Sequence, residues 1–120
     1  MKIGVITDCF KKTHAEGIEL ASKLKLDGVQ IYATTGEFSP NLTQEEKDRY
    51  KTLLKEKDLE VSALCGDMGG YGFEREEDNA ERIEKTKAIV DLAVEFGTKV
   101  VTLQLVNTDV GVYISHVITS

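Results

Sequence analysis

Short apolar runs alternate along this chain with longer amphipathic stretches. Val5–Ile6, Val29–Ile31, Val61–Leu64 and Val100–Val101 each sit in a brief aliphatic run, and charged and aliphatic residues mix between one run and the next. Strands alternating with helices read as βαβ units and a parallel sheet, covered on both faces. Lys2–Thr7 predicts strand one, Val29–Tyr32 strand two and Glu60–Leu64 strand three, and a fourth starts at Lys99. Between them, Thr13-His14-Ala15-Glu16 and Thr43-Gln44-Glu45-Glu46 have the spacing of a capping box, in which hydroxyl and carboxylate satisfy free amides at a helix start.

The first helix carries Ile18, Ala21 and Leu24 as its buried stripe and ends at Asp27-Gly28. After a loop marked by Gly36, Pro40 and Asn41, the second runs to about Lys57 with Tyr50, Leu53 and Leu54 on its apolar face. The third and longest covers about Asp78 to Phe96, with Ile83, Val90 and Val94 on one stripe. Gly97 stands where a left-handed C-terminal cap belongs.

The pattern then changes. Of 36 charged residues, 35 precede position 103, and Asp109 alone falls in the last 18. Val110, Val112, Ile114 and Ile118 alternate with Gly111, Tyr113, Ser115 and Thr119, which predicts a strand where the repeat calls for a charged helix. The expected fold is therefore α/β, a parallel βαβ repeat of about four strands and three helices followed by a β-like tail. Residues 1–102 form the repeat and residues 103–120 the atypical tail. Four strands are half of an eight-stranded barrel, which typically needs ~250 residues. The tail is either the mark of an interrupted barrel or a natural strand that closes the core.

A chain of 120 residues with net charge −6 and a pI near 4.9 argues against nucleic acid or an anionic membrane surface as its main partner. It has no apolar run near the ~20 residues of a membrane span. Met1–Ile6 reads as a strand rather than a signal peptide, which points to the cytoplasm. Cys9 and Cys65 are then expected as free thiols acting as small apolar residues.

In parallel α/β folds ligands meet the loops after the strands' carboxyl ends. Those loops offer Asp8, Tyr32 with Glu37, and the segment from Cys65 to Gly72, with Asp67 among four glycines. Each also has a purely structural role open to it. Asp8 can cap a turn, Tyr32 can pack on a neighbouring helix, and Asp67 can stabilise the glycine-rich bend. No metal-ligand spacing occurs. His14, inside a capping box, and His116, in the tail, read as surface residues. The glycine run matches neither a P-loop nor G-x-G-x-x-G, and no Ser-His-Asp set stands out. A flavodoxin-like regulatory or binding domain is the alternative: Asp8 and Asp67 sit after strands one and three as in a receiver, but the acidic pair and late lysine of that class are missing.

Lys2-Ile3-Gly4-Val5, Leu26-Asp27-Gly28-Val29-Gln30-Ile31-Tyr32 and Val61-Ser62-Ala63-Leu64-Cys65-Gly66-Asp67 resemble the sugar phosphate isomerase/epimerase family. So do Asn79-Ala80-Glu81-Arg82 and the run from Ala93 to Val101. That family lies among the xylose isomerase-like TIM barrels, with endonuclease IV, and the resemblance covers roughly residues 1 to 102. It implies a (β/α)8 barrel that interconverts aldoses, ketoses or epimers of small sugars or sugar phosphates with a divalent Mn, Mg or Zn ion. The family reaction is proton transfer beside a carbonyl through an enediolate.

The family's metal ligands come mainly from later strands, so the resemblance assigns no ligand and no base here. It implies substrate-side positions at Tyr32, Cys65, Gly66 and Asp67, to which the reading of the residues adds Asp8. Many relatives carry a histidine near the end of strand four, where this chain reads Leu103-Gln104-Leu105-Val106. The chain is therefore expected to be truncated and inactive as it stands. A half barrel leaves strand edges open, which predicts a homodimer or higher oligomer, with the tail pairing across it. A repair nuclease akin to endonuclease IV would need several histidine ligands and a basic groove, which this sequence lacks.

Overall fold

Strands and helices alternate in the predicted order in the computed structural model, which describes residues 1–34, 37–69, 73–107 and 113–119, with the backbone alone for 104–107 and 113–119. β1 (Gly4–Ile6) is followed by a 3-10 turn (Thr7–Phe10), α1 (His14–Lys23), β2 (Gly28–Tyr32), α2 (Gln44–Glu56), β3 (Glu60–Cys65), α3 (Glu76–Glu95), β4 (Val100–Asn107) and β5 (Tyr113–Thr119). The sheet order is β1-β2-β3-β4-β5, with the first four strands parallel and β5 antiparallel to β4. The parallel strands follow chain order without a reversal. A flavodoxin-like sheet reverses direction after its first strand, whereas a barrel adds each strand beside the last. The order therefore disfavours the flavodoxin-like alternative.

Both predicted N-caps form. Thr13 accepts the Glu16 amide at 3.2 Å while the Glu16 carboxylate accepts the Thr13 amide at 3.2 Å. Thr43 accepts the Glu46 amide at 3.2 Å, which is the hydroxyl half of the predicted capping box; the reciprocal bond to the Glu46 carboxylate does not form. The helices also share one ending. Lys25, Asp58 and Gly97 take left-handed angles (φ 58°, 53° and 79°) one residue past each helix cap. The next residue's amide then reaches back to a helix carbonyl: Leu26 to Ala21 at 3.1 Å, Leu59 to Leu54 at 3.0 Å and Thr98 to Ala93 at 3.0 Å. This is the Schellman arrangement, and each time it turns the chain straight into the next strand. α1 thus ends at the left-handed Lys25, ahead of the Asp27-Gly28 break read from the sequence.

Ile18 and Ala21 of α1, Leu54 of α2, and Ile89, Leu92 and Ala93 of α3 pack on Val29, Ile31, Val61, Leu64 and Val101. Two predicted stripes differ from this core. Leu24 is 61% exposed because α1 has already turned away from the sheet there. On α3, Ile83 and Val94 are 46% and 61% exposed, while Thr86, Ile89, Leu92 and Ala93 face inward. Phe38, in the β2–α2 loop, is fully buried and meets Tyr50 and Phe96 edge-on at 5.1 and 5.0 Å. The tail does form a strand, and it pairs antiparallel with β4 of its own chain (Val100 opposite Thr119, Asn107 opposite Tyr113). Residues 110–112 of the alternating stretch lie outside the described residues.

Candidate functional site

Side chains alternate across a strand, so the face opposite the helices is set by register. Gln30 stands beside Ala63, and Tyr32 beside Cys65, which is itself beside Thr102. A bulge in β3 produces this alignment. Val29 pairs with Val61 but Gln30 with Ala63, so Ser62 is the extra residue, and its hydroxyl donates to the Val29 carbonyl at 3.1 Å. One inserted residue reverses which side chains share a face. Without it Leu64, not Cys65, would stand beside Tyr32.

Four of the five predicted substrate-side residues converge at the carboxyl ends of β1 to β3. Asp8 lies in the 3-10 turn after β1, Tyr32 ends β2, Cys65 ends β3, and Asp67 follows it. The Tyr32 phenol is pushed up to about 12, first by negative charge at Cys65, then by burial, by its hydrogen bond to Cys65, and by the Asp67 and Asp8 carboxylates. It is thus a neutral hydrogen-bond donor at physiological pH. Gly66 sits differently: it is buried, and its amide donates to the Thr102 carbonyl at 2.6 Å, which fixes the start of the loop. Asp67 has the bend-stabilising role as well, since its Oδ1 accepts the Gly69 amide at 2.8 Å and Gly69 has φ 69°. Gly70, Tyr71 and Gly72 of the same loop lie outside the described residues.

Other polar side chains join this ledge without having been singled out in the sequence. Gln30 Nε2 donates to Thr102 Oγ1 at 3.2 Å, spanning the small Ala63 of the strand between them. His14 is no surface residue: its side chain is 12% exposed, with Nδ1 3.1 Å from Thr7 Oγ1 and 3.7 Å from Asp8 Oδ1. Its ring meets Phe38 edge-on, and this burial in the first turn of α1 holds the Asp8 turn against the helix. Glu37 serves structure instead: its carboxylate accepts the His14 amide at 3.3 Å, and its carbonyl accepts the Tyr50 hydroxyl at 3.3 Å. Cys9 is exposed, Cys65 is buried, and both are free thiols.

The ledge thus offers a phenol donor, a thiol, two carboxylates, an amide and a threonine hydroxyl. Carboxylates accept paired hydroxyl hydrogens well, and their charge opposes a bound phosphate. Among the described residues, no three His, Cys, Asp or Glu side chains cluster closely enough to hold a metal ion. These residues therefore do not by themselves fit a divalent cation.

Comparison with known proteins agrees with this geometry. The sequence model of the family described as a xylose isomerase-like TIM barrel matches residues 18–116. Among solved structures, the chain is similar to a xylose isomerase domain protein from Planctomyces limnophilus (23% identity, TM-score 0.65), over 82% of this chain and 39% of that one. It is also similar to the probable 3-DHS dehydratase AsbF, involved in petrobactin synthesis, from Bacillus anthracis (22% identity, TM-score 0.63), over 84% of this chain and 37% of that one. This chain therefore spans well under half the length of those two proteins. No curated protein sequence matches it significantly.

Proposed function

Because this chain belongs to the xylose isomerase-like TIM barrel family, we propose that it is the substrate-side half of a sugar phosphate isomerase/epimerase-like protein. Residues 1–102 supply the half barrel and residues 103–120 an added strand. The observation that carries the reading is the convergence of Asp8, Cys65 and Asp67 on the Tyr32 phenol at the carboxyl ends of the strands, where barrels of this class hold their substrates. The ligand is a small sugar or sugar phosphate held by its hydroxyls, with Asp8 and Asp67 accepting and Tyr32 donating; any phosphate points away from the two carboxylates. Here the residues bind and orient the polyol, and the chain alone turns nothing over.

No helix among the described residues is long and apolar enough to cross a membrane, and we place the chain in the cytoplasm, away from nucleic acid. Among the described residues no strand lies on the outer edge of β1, and Ile3 beside it is 52% exposed. That edge and the outer edge of β5 make a homo-oligomer the expected state.

Ligand-observed NMR with a panel of aldoses, ketoses and their phosphates, in deuterated water with manganese or magnesium, tests the reading. Binding that Asp67→Asn weakens, without deuterium entering the sugar, is the expected result. If no polyol binds, the site reading fails, and deuterium incorporation by this chain would overturn its inactivity.

A further inference from the structure

The carboxyl ends of β2 and β3 have a second face. A cavity of about 600 Å³ lies there on the helix side of the sheet, with buried Ala33 and Ile89 at its base. Thr34, Ser39 and Asn41 of the β2–α2 loop line it together with Lys85 of α3. Its volume is in the range of small-molecule sites. Among the described residues that line it there is one cation and no carboxylate. The ledge has the opposite makeup, with two carboxylates and no cation. Ser39 Oγ accepts the Asn41 amide at 3.2 Å, which holds the turn and leaves the hydroxyl's own hydrogen to donate. Lys85 Nζ rests on Glu81 at 3.0 Å, but both side chains are mostly exposed. A surface pair of this kind contributes little, so an entering dianion draws the ammonium over at small cost.

We propose that this cavity holds the phosphate of a phosphorylated sugar whose hydroxyls lie on the ledge. Lys85 supplies the charge, and the Thr34 and Ser39 hydroxyls and the Asn41 amide donate to the phosphate oxygens. Chain connectivity sets the two surfaces side by side. Ala33 follows Tyr32 and Met68, also on the cavity wall, follows Asp67, each a step of ~3.8 Å between Cα atoms. A single ligand can therefore pass over the strand ends from one surface to the other. A polyol and a dianionic group need surroundings of opposite charge, and the two faces of these strand ends provide them. The inference rests on the reading of the ledge as a polyol site and narrows its ligand from small sugars and their phosphates to the phosphates.

Phosphorus and proton NMR titrations of the full chain test it, with inorganic phosphate and with a panel of aldose and ketose phosphates beside their parent sugars. Each sugar phosphate should bind more tightly than its parent. Lys85→Gln should weaken the phosphates about tenfold, the loss expected for one charge-assisted hydrogen bond, and leave the parent sugars unchanged. Ser39→Ala should weaken the phosphates about threefold. Lys87→Gln removes an equally exposed charge from the same helix and should alter neither. Lys85 is exposed, so circular dichroism should show its variant folded. Phosphates that do not bind, that bind no better than their parents, or that lose as much in Lys87→Gln as in Lys85→Gln overturn the proposal. Parent sugars that bind and respond to Asp67→Asn, with Lys85→Gln inert towards the phosphates, remove the cavity and keep the ledge. Inorganic phosphate that binds through Lys85, with no parent sugar bound, supports the phosphate site and removes the ledge reading instead.

Discussion

On the helix side of the parallel sheet, Val29, Ile31 and Leu64 are fully buried and Val101 is 2% exposed. On the opposite side the same strands carry Gln30, Tyr32 and Thr102, each half-buried and polar. The strands are shared and the backbone bonding is shared, so the contrast comes from side chains alone. The helix side needs volume and hydrophobicity, and its residues are interchangeable so long as they fill space. The open side needs particular donors and acceptors at particular heights, and contributes little to folding.

Leu64→Ala puts the largest strain on that contrast. Leu64 is fully buried among Ile31, Ile89 and Val101, and truncating such a residue costs about 2–5 kcal/mol through lost burial and a residual cavity. Thr102→Val, at the neighbouring position on the open side, should cost about 1 kcal/mol, the worth of its hydrogen bond with Gln30. Urea unfolding of both variants decides it, and equal losses would mean that the open side also holds the fold together. Gly28→Ala marks the limit of the contrast. A methyl group there would come 2.9 Å from the Glu60 carbonyl oxygen, and the backbone must shift at a cost of about 1–3 kcal/mol. The floor of the open side is therefore shaped by close backbone approach, and its polar upper end is not.

Much of the helix side was legible because its pattern is periodic. The capping boxes at Thr13 and Thr43 and the runs at Val29 and Val61 mark element starts by chemistry that local sequence carries. The α3 stripe misled in part: Val90 does pack against the core, but Ile83 and Val94 are exposed, because residues apolar at helical spacing look alike whichever way the helix faces. Only the sheet's position selects Ile89 and Ala93 in their place. Phe38 was invisible for a similar reason: a buried aromatic in a loop has no period. On the open side, Asp8, Tyr32 and Asp67 were reachable from the rule that loops after strands meet ligands. The pairing of Tyr32 with Cys65 was not, since it depends on the one-residue bulge at Ser62 and no alternation in the sequence announces it. His14 read as surface because nothing local shows that α1 packs its first turn on Phe38 and Thr7.

The shared helix ending offers a smaller test, in the direction of added stability. Lys25 holds a left-handed angle that costs a side-chain-bearing residue about 1–2 kcal/mol, a cost glycine avoids at the corresponding Gly97. Lys25→Gly should stabilise the fold by about 0.5–1 kcal/mol after allowing for glycine's larger freedom in the unfolded chain. Asp58→Gly should give less, because aspartate tolerates this region better. Thermal melts rising in that order support a repeat built on one turn geometry, and a fall in either would show that the side chain has a role its backbone angle hides.

Tyr32→Phe sharpens the contrast most finely, since it should change stability very little and ligand binding substantially. The folded phenol titrates at about 12 against an ordinary 10, so the neutral form is the one the fold favours. Its contribution to stability is therefore complete below pH 10 and is lost as pH rises from 10 towards 12. At neutral pH the variant loses one hydroxyl donor to Cys65 and no charge, an effect within about 0.5 kcal/mol for a partly exposed group. The phenolate absorbance that disappears in Tyr32→Phe should have its wild-type midpoint near 12. In Cys65→Ala that midpoint should move down, because Cys65 is the largest source of the shift, and in Asp67→Asn by a smaller amount. A midpoint that ignored both substitutions would mean that Tyr32 stands apart from the carboxylate and thiol, and the ledge would then lack the phenol donor around which its carboxylates are arranged.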